Sequence, residues 1–156
     1  MVKIGVVSDT HLSRPSRLLA SLVEPRGPFA DAEMVLHAGD IVSLDVLSAF
    51  APKTVFAVAG NMDGYLPARE LPARRIVEVM GFKIGLIHGN GPGKNVEDRV
   101  FAEFPEADAI CYGHTHVCAN HYRNGILLFN PGSFGNGTVG VLTVTEKGIQ
   151  GTIVNL

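Results

Sequence analysis

Short apolar segments rich in β-branched residues recur along this chain, and they limit the folds it can adopt. Five of them precede polar or glycine-containing stretches: KIGVVS (3–8), EMVLHA (33–38), TVFAVA (54–59), KIGLIH (83–88) and ADAICY (107–112). Segments of this length and composition predict buried strands. Residues 16–24, 43–50 and 96–104 lie between strands, and their apolar side chains at three- and four-residue spacings predict helices packed on a sheet. This alternation predicts an α/β fold with parallel strands and ligand sites at the carboxyl ends of those strands.

The pattern changes after residue 117. The segments ANHYRNGILLFN (119–130) and TVGVLTVTEKGIQGTIVNL (138–156) combine alternating apolar positions with the turn signals RNG and EKG. Such segments predict antiparallel hairpins, and residues 74–89 predict a further pair that turns at Gly81. Because no linker or repeat interrupts the chain, we expect one domain over residues 1–156.

The composition argues against several classes of protein. Hydrophobic residues make up 46% of the chain and charged residues 18%, as in compact globular proteins. A net charge of -2 offers no basic field for long nucleic acids, and no apolar run approaches the roughly 20 residues that cross a bilayer. The amino terminus lacks a signal-peptide pattern, and two cysteines provide no disulfide framework. We therefore expect a cytoplasmic protein with reduced thiols that acts on small substrates and not on a membrane.

Residues that can bind metals follow nearly every strand of the parallel part. In chain order they are Asp9, His11, Asp40, Asn61, His88, His114 and His116. Glycines precede three of these positions and would let the backbone approach an ion closely. Carboxylate, imidazole and amide ligands together suit Mn, Fe, Zn, Ni or Co. One tetrahedral ion uses about four ligands, whereas seven can serve two ions about 3.5 to 4 Å apart if one carboxylate bridges them. We assign the bridge to Asp40.

These motifs, in this order, resemble those of the calcineurin-like metallophosphoesterases, whose pattern is D-x-H, G-D, G-N-H-[DE], a lone H and G-H-x-H. Here they stand as DTH (9–11), GD (39–40), GNMD (60–63), HG (88–89) and GHTH (113–116). The short chain and its NPGS segment (130–133) are most similar to the small bacterial and archaeal phosphodiesterase branch of the family. The resemblance implies a four-layer αββα sandwich of two mixed sheets flanked by helices.

The resemblance also implies how the ligands divide between two divalent transition-metal ions, with manganese first and nickel, iron, zinc or cobalt as alternatives. One ion would be held by Asp9, His11, Asp40 and His116, and the other by Asp40, Asn61, His88 and His114. A hydroxide bridging the ions would attack phosphorus in line, and the ions would neutralise the phosphoryl oxygens. Asp40, Asn61 and His88 are the expected catalytic residues. The implied activity is hydrolysis of small phosphate diesters, and a homo-oligomer is compatible with the family.

One position departs from the family pattern. Met62 stands where most members have a histidine thought to protonate the leaving group, and a thioether cannot donate a proton. We therefore expect slower chemistry and a preference for good leaving groups. Asp63 is expected to hold its loop or Asn61 in place. Arg14 and Arg69 lie on flanking loops and are candidates for a phosphate contact without being assigned to it.

Five other features have simpler interpretations. His37 is expected to be a core or supporting histidine, and His121 a surface residue. Cys111 and Cys118 are interpreted as buried small residues. The segment 130–133 is expected to form a turn that supports the site.

The glycine-rich segment GNGPGKN (89–95) superficially resembles a phosphate-binding loop. It lacks the Walker A spacing, because His88 and Asn95 stand where glycine and a hydroxyl residue are required. We interpret it as a loop shaped around His88. Two alternative functions stay open: a phosphomonoesterase that uses the same two metals, and a noncatalytic scaffold that keeps the metal site.

Overall fold

The computed structural model describes residues 1–93 and 95–156, and its strands form two five-stranded sheets. The strands are β1 (Val2–Val7), β2 (Met34–His37), β3 (Thr54–Ala57), β4 (Arg74–Val79), β5 (Phe82–Ile87), β6 (Ala109–Cys111), β7 (Ala119–Arg123), β8 (Ile126–Asn130), β9 (Thr138–Thr145) and β10 (Gly148–Asn155). The helices are α1 (Arg17–Ser21), α2 (Tyr65–Glu70) and α3 (Val96–Glu103), with 3-10 segments at Leu44–Phe50 and Phe134–Asn136. The strand positions predicted from sequence are confirmed to within two residues at each end.

Both sheets combine parallel and antiparallel pairs. The first has the order β10-β9-β1-β2-β3, in which β1, β2 and β3 are parallel and β9 runs antiparallel to β1. The second has the order β4-β5-β6-β8-β7, in which β5, β6 and β8 are parallel. The predicted hairpins are present as β4–β5, β7–β8 and β9–β10.

The sheets pack face to face over a shared apolar core. Side chains from both sheets, including Ile4 and Leu36 from the first and Leu86 and Phe129 from the second, form one buried cluster. A second cluster packs α1 and the 44–50 segment on the outer face of the first sheet. A third packs α3 on the outer face of the second sheet. These layers confirm the predicted four-layer α/β sandwich.

Two of the predicted helices are shorter or tighter than the apolar spacing suggests. Helix α1 ends at Ser21 instead of continuing to residue 24, because the chain turns through Gly27 and the Phe29 amide donates to the Leu22 carbonyl at 2.7 Å. Residues 44–50 form a 3-10 helix in which the Ser48 hydroxyl donates to the Asp45 carbonyl. Side-chain hydrogen bonds of this kind compete with regular α-helix. The third prediction, at residues 96–104, is confirmed by α3.

The parallel strands end at one edge of the sandwich, and this edge places the candidate ligands. Strands β1, β2 and β3 end two to four residues before Asp9, Asp40 and Asn61, and β5 ends one residue before His88. Backbone hydrogen bonds link the loops that follow, with the Asp9 amide on the Gly39 carbonyl and the Gly113 amide on the His88 carbonyl. Loops from both sheets therefore meet at a single place.

The predictions for the cysteines were half right. Both thiols are free, and Cys111 is buried in the core as expected. Cys118, predicted to be buried, is exposed because it follows the GHTH loop before β7 begins. Within residues 1–93 and 95–156, no helix combines the length and apolar character that a membrane crossing requires.

Candidate metal centre

The candidate ligands converge where the loops of the two sheets meet. Asp9 is fully buried, and its Oδ1 lies 3.1 Å from Nε2 of His116 and 3.7 Å from Nε2 of His11. The ligand atoms of these three residues lie within 4.8 Å of one another. Asp40 completes this side of the centre, because its Oδ2 lies 3.6 Å from Nε2 of His11.

A second group of ligand atoms adjoins the first. The other oxygen of Asp40, Oδ1, lies 3.3 Å from Nε2 of His88. The Asn61 Oδ1 atom lies 3.1 Å from the same nitrogen and 3.0 Å from Nδ1 of His114. Asp40 thus directs one oxygen toward each group, as the predicted bridge would. Asp9 also borders both groups, since its Oδ1 lies 4.0 Å from Nε2 of His88.

The chemistry of these atoms fits divalent cations. His88 Nδ1 lies 2.7 Å from the Ala38 carbonyl and donates to it, so Nε2 faces Asp40 Oδ1 and Asn61 Oδ1. Three electron-rich atoms this close repel one another unless a proton or a cation lies among them. Asp9 Oδ1 is buried without a hydrogen-bond partner among the described residues, which is unusual for a carboxylate. A mixed set of nitrogen and oxygen donors suits transition metals.

The backbone at most of these positions is left-handed. The φ angles are 53° at Asp9, 48° at His11, 56° at Asp40, 68° at His114 and 59° at His116. Residues with a Cβ adopt this conformation rarely, and it concentrates at functional sites. It ends each strand abruptly and turns the chain along the sheet edge, so that side chains two positions apart point to the same place.

Two glycines allow the ligand loops to approach each other. A Cβ atom on Gly60 would lie 2.2 Å from Oδ1 of Asp40, and one on Gly113 would lie 2.0 Å from the Ser8 hydroxyl and 2.7 Å from Asp9 Oδ2. Any side chain at either position would displace a carboxylate. The close approach of these glycines to metal ions stays a prediction.

Hydrogen bonds from both sheets fix the Asp9 side chain and backbone. Its Oδ2 accepts from the Ser8 hydroxyl at 2.6 Å and from the His114 amide at 3.2 Å. The Ser133 hydroxyl donates to the Asp9 carbonyl at 3.2 Å, and Asn130 Nδ2 donates to the Gly113 carbonyl at 3.0 Å. The NPGS segment therefore supports the site, as predicted.

Asp63 holds two ligand loops together. Its carboxylate accepts from the Val42 amide at 2.6 Å and from the Gly60 amide at 2.7 Å. The Met62 amide donates to Asp40 Oδ1 at 2.8 Å, while the Met62 side chain is 59% exposed. The expected role of Asp63 in holding its loop is confirmed, and Met62 contributes its backbone to the site.

The buried histidines are in different electrostatic surroundings. Burial, together with the nearby His88, lowers the pKa of His37 to about 3. Its Nδ1 accepts from the Gly39 amide, so its proton lies on Nε2, which donates to the Thr10 hydroxyl at 3.1 Å. Burial also opposes protonation of His88, but the hydrogen bond and charge of Asp40 raise the pKa of His88 above its ordinary value. His37 is thus the neutral core histidine that the sequence predicted.

Other contacts near the centre have no signal in the sequence. Ser8 precedes Asp9 without belonging to a motif. The hydrogen bond from its hydroxyl to the Asp9 carboxylate depends on the turn that the chain makes after β1. Arg99, at the start of α3, donates to the Gly89 and Gly93 carbonyls at 2.8 and 3.3 Å, and this contact holds the glycine loop beside His88. Lys94 of the GNGPGKN segment lies outside the described residues.

Three further predicted residues lie at the surface. Arg14 is exposed, and the Arg69 guanidinium donates to the Tyr65 hydroxyl at 3.4 Å. Neither observation tests a role of Arg14 or Arg69 in phosphate binding, which stays a prediction. His121 is exposed as expected, and its Nε2 lies 3.2 Å from the Glu97 carboxylate.

Known proteins with similar sequences or folds are named as metallophosphoesterases or phosphodiesterases. A protein of Methanothermobacter thermautotrophicus named probable metallophosphoesterase is 38% identical over 136 residues, which cover 83% of this chain and 76% of that protein. The solved structure of a protein described as a novel archaeal phosphodiesterase has a TM-score of 0.73 and 27% identity, and covers 98% of this chain and 100% of its own.

A third relative shares the fold at lower identity. Zinc-complexed Vps29 from Entamoeba histolytica has a TM-score of 0.71 and 20% identity, and the match covers 99% of both chains. The sequence profile described as the calcineurin-like phosphoesterase superfamily domain matches residues 2–147. The chain therefore belongs to the calcineurin-like phosphoesterase superfamily.

Proposed function

We propose that this chain is a phosphodiesterase that hydrolyses small phosphate diesters with the help of two divalent metal ions. The observation that carries the proposal is the position of Asp40 between two groups of nitrogen and oxygen donors. Its Oδ2 lies 3.6 Å from Nε2 of His11, and its Oδ1 lies 3.3 Å from Nε2 of His88. A carboxylate in this position suits a bridging ligand.

The proposed division of ligands follows the two groups. Asp9, His11, Asp40 and His116 would hold one ion, and Asp40, Asn61, His88 and His114 would hold the other. When bound, such ions supply Lewis acidity at the phosphoryl oxygens and a strong nucleophile at neutral pH. The relative named as a phosphodiesterase supports the diester assignment.

The residues of the chain itself bind and orient the substrate. The Asn61 Oδ1 atom faces the two imidazoles of His88 and His114, which leaves its Nδ2 hydrogens free to donate to a phosphoryl oxygen. The Ala38 carbonyl fixes the orientation of the His88 ring. Met62 provides no proton for a departing oxygen. We therefore expect good leaving groups to react fastest.

The proposal extends to the surroundings of the enzyme. A net charge of -2 supports small phosphoesters over long nucleic acids as substrates. The two free thiols, Cys111 and Cys118, support a reducing compartment, and we propose the cytoplasm. A homo-oligomer stays a prediction that light scattering would test.

The test begins with protein stripped of metal by a chelator. Hydrolysis of bis(p-nitrophenyl) phosphate would be measured without metal and with Mn, Ni, Zn or Mg added back, alongside a calorimetric count of bound ions. We expect two ions per chain and turnover restored by a transition metal, with manganese most effective. Binding of a single ion would refute the two-metal assignment.

The monoester alternative needs a matched pair of substrates. Methyl p-nitrophenyl phosphate and p-nitrophenyl phosphate release the same phenolate, so their kcat/KM values compare diester with monoester directly. We expect faster turnover of the diester. Faster turnover of the monoester would make the protein a phosphomonoesterase.

One observation favours a noncatalytic scaffold. The side chains of Met62, Tyr65 and Leu66, close together in the chain after Asn61, are 59%, 75% and 59% exposed. Large exposed apolar surfaces often mark protein interfaces. Two bound ions without turnover of either ester would put the scaffold function first.

A further inference from the structure

An apolar cleft opens beside the metal centre. It has a volume of about 450 Å³ and is lined by residues 42–45 on one side and 64–67 on the other. Val42, Leu44, Leu66 and Pro67 contribute aliphatic surface, and Tyr65 contributes an aromatic ring. Binding sites for small molecules combine apolar walls with a few polar groups.

Both walls of the cleft continue directly from candidate ligand loops. Val42 follows Asp40 by two residues, and Gly64 follows Asn61 by three. The Asp63 carboxylate joins the walls, since it accepts from the Val42 amide at 2.6 Å and from the Gly60 amide at 2.7 Å. A phosphate bound to metal ions held by Asp40 and Asn61 would therefore have this cleft next to one of its ester oxygens.

The exposed side chains of the cleft are unusually apolar for surface positions. Tyr65 is 75% exposed and Leu66 is 59% exposed, and both belong to the short helix α2. Met62, which follows Asn61 in the chain, is a further large apolar side chain that is 59% exposed. An aromatic ring that covered these side chains would remove apolar area from water, which favours binding.

A second cleft, lined by residues of α3 and of the second sheet and its loops, has a different chemistry. Its volume is about 590 Å³, and it reaches the centre at Thr115, between His114 and His116. The Glu97 carboxylate lies in it and is hydrogen-bonded to the Tyr112 hydroxyl at 2.7 Å. An apolar group placed there would bury a carboxylate, which is costly. The 42–45/64–67 cleft also contains a carboxylate, Asp45, but that side chain is exposed and can stay in water, whereas Glu97 is half-buried. The 42–45/64–67 cleft is therefore better suited to an apolar ester group.

The chemistry of the leaving group completes the substrate class. Because Met62 cannot protonate a departing oxygen, the oxygen leaves most easily when its negative charge is delocalised, as in an aryl oxide. We propose that the 42–45/64–67 cleft binds the second ester group, which stays on phosphorus, and that this group is aromatic too, so that diaryl phosphodiesters are the preferred substrate class. This inference rests on the proposed function and adds a specificity site to it.

The test compares two diesters that release the same product. Phenyl p-nitrophenyl phosphate and methyl p-nitrophenyl phosphate would be assayed with the metal-loaded wild type, Leu66→Ser and Tyr65→Ser. Leu18→Ser is the matched control, because Leu18 is a 52% exposed leucine on helix α1 that lines neither cleft. We expect both cleft variants to lower kcat/KM for the phenyl ester about tenfold, mainly through KM, a loss typical of a few apolar contacts. The control should stay within about twofold of wild type.

A binding measurement gives a readout that does not depend on turnover. Diphenyl phosphate, a slowly hydrolysed diester, should shift the NMR signals of Tyr65 and Leu66 in the zinc-loaded protein, and dimethyl phosphate should leave them in place. Unchanged kcat/KM in both cleft variants, together with unshifted signals, would overturn the inference while leaving phosphodiesterase activity intact. Absence of turnover in the wild type would instead refute the proposed function. A dimer that dissociates on Leu66→Ser would show that a second copy covers this surface, and would also overturn the inference.

Discussion

The two halves of the metal centre contribute different chemistry. The loops of the first sheet supply both carboxylates, Asp9 and Asp40, which are 0% and 2% exposed. The loops of the second sheet supply three imidazoles and no carboxylate, and the exposure of their side chains rises from 0% at His88 to 43% at His116. The first half thus fixes the negative charge that attracts cations, and the second provides imidazole nitrogens. Neither half alone offers the donors for two ions, so the site depends on the packing of one sheet against the other.

The first prediction removes the negative charge of Asp40, the residue of the first half that both groups of donors share. Replacing Asp40 with Asn removes the charge between His11 and His88 and keeps the size of the side chain. We expect kcat/KM to fall by at least about a thousandfold and the binding of both ions to weaken, because a bridging ligand serves both. Calorimetry and the diester assay measure the two effects.

Asp31→Asn is the matched control, because Asp31 is an exposed carboxylate that precedes β2, whereas Asp40 follows it. Circular dichroism should show that both variants remain folded. Full activity in Asp40→Asn would remove Asp40 as the bridge and leave Asp9, which also borders both groups, as the candidate.

The second prediction introduces a steric clash between the two halves of the metal centre. In Gly113→Ala the new Cβ would lie 2.0 Å from the Ser8 hydroxyl and 2.7 Å from Asp9 Oδ2. We expect a loss of about 1 to 3 kcal/mol in the free energy of unfolding, as for other overpacked sites. Activity should fall about a hundredfold, because shifts of about 1 Å at an active site have effects of this size.

Gly135→Ala provides the comparison, since a Cβ there would meet its nearest neighbour, the Ser133 hydroxyl, at an ordinary 3.5 Å. Urea unfolding and the diester assay should show little change in this variant. If Gly113→Ala behaved the same way, the close approach of the two halves would not matter for the site.

The third prediction concerns the first half alone and has the smallest effect. The pKa of His37 is about 3 in the folded protein against an ordinary value of 6.5, so below pH 6.5 the unfolded chain binds a proton that the folded chain excludes. Stability from the neutral ring is complete above pH 6.5 and is lost as the pH falls toward 3. From pH 6.5 to 5.0 the free energy of unfolding of metal-free protein should drop by about 1.5 kcal/mol through this residue.

His37→Asn removes the titrating group, and its side-chain oxygen can still accept from the Gly39 amide. Urea unfolding at both pH values should show a drop that is smaller by about that amount in the variant. An equal pH dependence in the two proteins would mean that His37 becomes protonated without unfolding.

The sequence predicted the strands and the supporting contacts of Asp63 and the NPGS segment, but it missed other supporting contacts of the site. Strand positions follow from local apolar runs, and motif spacing identified seven side chains that the structure brings together. The division into two sheets came from the family resemblance, because local patterns do not say which strands pair. The contacts of Ser8 and Arg99 were missed, since they depend on loops that meet only after folding. Cys118 was placed wrongly because small apolar residues carry little information about exposure.

The left-handed backbone at five candidate ligands has an evolutionary consequence. Each such residue carries a strain of about 1 kcal/mol or more, and glycine would relieve this strain while removing the ligand. Mutations that destroy the centre can therefore make the fold more stable, so selection for stability alone would erase it. A descendant of this domain that no longer needed its metals would lose first the residues at positive φ angles, and it would keep its two sheets intact.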